Sequence, residues 1–152
     1  MPIKQFAGLF ILQVLIAFLL ASPVRAAESN LQMRIEHAIT RVKSENTTTK
    51  RADAAKCLYL LTLRRGLKRV DDSTIAEVVS LLDTDEDSVR YWVALSLRSF
   101  GLRAKMAIPR LEVILKEDDC ALVSMTAASA VRSTLEAMGV TPKPSGCDSD
   151  RL

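Results

Sequence analysis

The chain has 152 residues, 26% of them charged and 49% hydrophobic, with a formal net charge of +3. One domain is the expectation at this length, and with residues 1–26 set aside the chain is nearly neutral, which gives no case for nucleic acid binding. With only 5% aromatic residues, the core must come from Leu, Val, Ile, Ala and Met, which suits packed helices.

Residues 1–26 read as a secretory signal peptide. Lys4 precedes an apolar run from Phe6 to Leu20 broken only by Gln13. Ala21-Ser22-Pro23-Val24-Arg25-Ala26 then supplies a helix breaker and small residues at a cleavage site. Cleavage is expected after Ala26, with Ala27 as the alternative. An uncleaved anchor is the competing reading, but the run falls short of the roughly 20 residues a bilayer span needs. Cleavage removes Lys4 and Arg25 and no acid, so 21 Lys and Arg become 19 against 18 Asp and Glu, a net of +1. The expected location is the periplasm, with no membrane span after cleavage.

Residues 27–139 are expected to form one helical domain, and 140–152 an extended tail containing Pro142 and Pro144. Leu31, Ile35, Ala38, Ile39 and Val42 recur at three and four residues, so a helix is expected from Leu31 to about Ser44. A second is expected over about Lys50–Arg65, capped within Thr47–Thr49 and ended by Gly66, with Ala54, Cys57, Leu58 and Leu61 inward. Asp72 or Ser73 is expected to cap a third helix from Thr74 to Leu82. A fourth runs from Val89 to Phe100, capped by Asp87 or Ser88 and closed by a left-handed Gly101. The fifth spans Arg103–Lys116, its regular part beginning near Ile108 because Pro109 suits a first turn. The sixth is expected from Ala121 to Met138, capped by Asp118 or Asp119 and closed by Gly139. No segment alternates with period two, so no strand is expected.

Three of these helices share a pattern. Ala54-Ala55, Val93-Ala94 and Ala127-Ala128 are equivalent, as are Cys57-Leu58, Ser96-Leu97 and Ala130-Val131, at offsets of 39 and 34 residues. Ile75, Val78, Leu81 and Leu82 fall 33 residues before Ile108, Leu111, Ile114 and Leu115. The stretch Val89-Arg90, Val93-Ala94, Ser96-Leu97, Phe100-Gly101 resembles a HEAT-like repeat, including its short bacterial variety, the PBS-lyase type. The resemblance covers roughly residues 50–138. It implies an all-α fold, a right-handed α-α superhelix of about three HEAT-like helix pairs, stacked one on the next. The alternative is an ordinary six-helix bundle.

Motifs for chemistry are sparse. The lone histidine, His37, sits beside Ala38-Ile39 without ligand spacing, and no phosphate loop, Cys-x-x-Cys or His-Glu-x-x-His is present. Asp83, Asp85, Glu86 and Asp87 lack the glycine and distal glutamate of a calcium loop. They are expected to cap the fourth helix and face an arginine such as Arg90. Asn46-Thr47-Thr48 is a glycosylation sequon, relevant only in a eukaryotic secretory pathway. No cofactor and no metal are expected.

Cys57 occupies the small core position of the repeat and is expected to be a buried thiol. Cys120 and Cys147 flank the sixth helix. A disulfide between them needs the tail to run back along a helix of roughly 27 Å, which eight extended residues just reach. It would cover the end of the stack.

Measured from Val89, Tyr91, Leu95 and Arg98 fall at about 180° to 240° around the fourth helix, opposite its apolar face. Equivalent places on neighbouring helices give one outward ridge: Lys56, Tyr59, Tyr91, Leu95, Arg98, Met125 and Arg132. Tyr, Arg and Met are enriched at interface centres, and in HEAT pairs the second helices line the concave side. Trp92, at about 300°, is expected to pack between repeats. The expected function is therefore an exported protein-binding module without catalysis. Size, export and fold class are similar to those of immunity proteins that block cell-wall amidases delivered by type VI secretion. An adaptor or assembly factor for an envelope complex is the alternative, and a homodimer is a further arrangement. A lyase on related repeats would need an acid–base constellation, which is lacking.

Overall fold

The computed structural model describes residues 30–117 and 126–142. All regular structure among them is helical. It comprises α1 (residues 30–44), α2 (Thr48–Thr62), α3 (Asp72–Ser80), α4 (Asp87–Phe100), α5 (Ile108–Glu117) and α6 (Ala127–Ala137). Short 3-10 turns follow or link them at Leu67–Arg69, Leu81–Asp83 and Gly101–Ala107. The signal peptide expected over residues 1–26 lies outside the described residues, as do Cys120, Cys147 and Met125. No described helix is long and apolar enough to cross a membrane.

α4 is the middle of the molecule. It packs against α2, α3 and α6, and α6 packs in turn against α5. The helical wheel explains how one helix serves several neighbours. Val89, Val93, Ser96, Leu97 and Phe100 are buried as the spacing predicts, and so are Arg90 and Ala94 on the flank. On one side Ser99 lies 3.3 Å from the Thr62 hydroxyl of α2. On the other, the buried Thr134 hydroxyl of α6 points at the Ala94 carbonyl, 2.9 Å away. The positions aligned by the 39- and 34-residue offsets share a fate: Leu58, Leu97 and Val131 are all fully buried. Each such side chain contributes about 1.5–3 kcal/mol of burial.

Cys57 breaks this equivalence. Ser96 and Ala130 are buried, yet Cys57 is exposed. In α4 the position lies one turn from Trp92, whose carbonyl accepts from the Ser96 hydroxyl. α2 comes first in that row, and among the described residues no equivalent helix covers its outer flank.

Helix ends also differ from expectation. Thr126 caps α6, its hydroxyl accepting from the Ser129 amide, so the helix begins at Ala127 rather than Ala121. Asp71 and Glu86 occupy the cap positions of α3 and α4. Gly101 has φ 56 and ψ −134, a positive φ but not a left-handed helical one, because the chain enters a 3-10 turn there without a loop. Gly66, with φ 106, is the left-handed residue that ends the α2 region, a conformation costly to any residue with a Cβ.

The acidic turn before α4 is held by arginines from three helices. Glu86 accepts two hydrogen bonds from Arg51 of α2. Asp83 lies 3.0 Å from Arg110 of α5, and Asp85 lies 3.9 Å from Arg90. Arg90 is only 8% exposed and also pairs with Glu117 at 3.5 Å. Hydrogen bonding to Arg51, aided by its charge, holds the Glu86 carboxyl below the usual carboxylate range in spite of some desolvation.

Candidate functional site

The residues of the ridge are positioned by α2, α4 and α6. Lys56 and Arg98 are exposed, whereas Tyr59, Tyr91, Leu95 and Arg132 are half-buried. Tyr59 and Tyr91 thus stand less freely in solvent than the wheel suggests. The reason is Trp92. Its ring meets Tyr59 as a tilted pair across the α2–α4 seam, centroids 5.6 Å apart and planes 34° apart. Tyr91 meets the same ring edge-on at 4.9 Å and 83°. The Lys56 ammonium stands 5.6 Å from the Trp92 centroid, within the range of a cation–π contact.

Four residues from two helices therefore form one cluster: Lys56, Tyr59, Tyr91 and Trp92. Leu95, one turn beyond Tyr91, packs partly on the core, and exposed Arg98 extends the same face of α4. Arg132 lies on α6, and Met125 falls outside the described residues. Sequence reasoning set Trp92 apart as an inter-helix packing residue. It does pack between α2 and α4, and it is also the hub that aligns both tyrosines. The available signal was its angle, intermediate between the buried stripe and Tyr91.

Paired aromatic rings of fixed orientation offer apolar area at little entropic cost, and Lys56 and Arg98 add charge at their margins. Among the described residues, no group of three His, Cys, Asp or Glu side chains is placed to hold a metal ion. His37 is exposed on α1. Comparison with known protein families, with curated proteins and with solved structures gives no match.

Proposed function

We propose that this chain is an exported, non-catalytic protein-binding module, folded as a right-handed superhelix of about three HEAT-like helix pairs. One observation carries the reading: Trp92 gathers Tyr59, Tyr91 and Lys56 from adjacent helices into a half-exposed aromatic platform. Such platforms supply the anchors of protein interfaces. The row α2, α4, α6 supports the repeat architecture, because its equivalent positions are buried alike except where the row begins.

The partner we propose is a secreted cell-wall amidase, with the chain as its immunity protein in the periplasm after cleavage behind Ala26. The ridge, or the neighbouring turn from Gly66 to Asp72, would cover the active-site cleft of the enzyme. Affinity purification from the exported fraction, followed by an inhibition assay on the recovered enzyme, tests this. The expected result is a hydrolase that co-purifies and is inhibited by the wild-type chain. Recovery of an endogenous envelope assembly with no hydrolase would replace it with the adaptor reading. Intact mass should give Ala27, or Glu28, as the first residue.

A further inference from the structure

A second feature lies where the described chain begins. Asn30, Leu31 and Arg34 of α1 and Arg64 and Arg65 beyond α2 line an open cleft of about 450 Å³, within the size range of sites for small molecules and headgroups. Arg34, Arg64 and Arg65 are exposed, and among the described residues no acidic side chain pairs with them. The acids at the adjoining start of α3 are already engaged. Asp71 accepts from Gln32 at 2.7 Å, and Asp72 pairs with Arg103. The next residues add exposed Lys68.

Apolar side chains project beside these cations. Met33 is 63% exposed, Leu60 51% and Leu63 58%. Met33 directly precedes Arg34 on α1, and Leu63, the C-cap of α2, directly precedes Arg64, so at each place an exposed apolar residue neighbours an exposed arginine. Leucine and methionine held out in water next to unpaired guanidinium groups fit a surface that is anionic above and apolar beneath.

We propose that this end of the molecule docks on an anionic lipid surface. Arg34, Arg64 and Arg65 would hold phosphate headgroups, and Met33, Leu60 and Leu63 would enter the acyl boundary. Full-chain protein, as recovered from cells, is floated with phosphatidylcholine vesicles containing either none or about 30 mol% phosphatidylglycerol. Binding should require the anionic lipid and fall away at about 0.5 M NaCl. Each Arg→Gln change should weaken it roughly fivefold, with R34Q/R64Q/R65Q returning it to the neutral-vesicle level. K43Q/K50Q, which removes cations from the opposite ends of α1 and α2, should bind as wild type. Equal flotation on both vesicle types, which an inserted apolar run alone would give, would overturn the proposal. So would wild-type flotation of the triple variant, or a loss in K43Q/K50Q equal to that of the triple variant. Saturable binding of free glycerol phosphate without flotation would overturn it too, and assign the cleft to a soluble phosphate ligand.

Discussion

Tyr59 on α2 and Trp92 on α4 meet as a tilted aromatic pair, ring centroids 5.6 Å apart, across the seam between the two helices. The contact makes the ridge part of the fold as well as a candidate surface. Tyr91 shares that double role, since it braces the opposite side of the same indole. Tyr91→Ala should therefore lower stability by about 1–2 kcal/mol, the worth of an aromatic pair plus lost burial. Arg98→Ala, at an exposed position, should stay within about 0.5 kcal/mol of wild type. Denaturant unfolding of the two variants separates these outcomes.

Leu97 is fully buried in α4. Its truncation to alanine should cost about 2–5 kcal/mol, because the helix is fixed by neighbours on more than one side and cannot collapse into the void. A shift in urea midpoint with an unchanged m-value is the expected signature.

The Arg51–Glu86 pair predicts an acid dependence. Glu86 titrates lower in the folded chain than in the unfolded one. Its contribution is thus complete above the unfolded carboxylate value of about 4.3 and is lost as pH falls through the lower folded value. Melting temperatures taken from pH 6 downward should drop in that acidic window, and Glu86→Gln should flatten this part of the curve. An identical drop in both proteins would assign the acid sensitivity to other carboxylates.

Cys57, exposed on the outer flank of α2, should react with a maleimide in the native protein without lowering its melting temperature. Peptide mapping should locate the label at Cys57. Protection until unfolding would mean that something covers that flank.

Much of the interior was legible because a single helix writes its buried stripe at a fixed period. Leu31, Ile35, Ala38, Ile39 and Val42 are all buried as spaced. What the period cannot express is how many neighbours a helix has. Arg90 and Ala94 lie off the stripe of α4 but are buried because α4 is central. Cys57 lies on the stripe of α2 but is exposed because α2 begins the row. Trp92 was visible as a flank residue, yet its contact with Tyr59 depends on the register of two helices, which spacing within either does not set. The start of α6 was placed too early because Asp118 and Asp119 were read as its caps, whereas the Thr126 hydroxyl caps the Ser129 amide.

The central claim is that the Trp92 platform receives a protein partner. Trp92 is the only tryptophan in the chain, so its emission reports on the platform directly. The decisive measurement is a fluorescence titration of the co-purified partner into wild type and into the K56A/R98A variant, both positions being exposed. The account predicts a blue shift of Trp92 emission on binding to wild type, corrected for the partner's own signal. It also predicts binding at least tenfold weaker in a variant that still melts within about 1 kcal/mol of wild type. Equal affinity of the two proteins, with Trp92 emission unchanged at saturation, would contradict it.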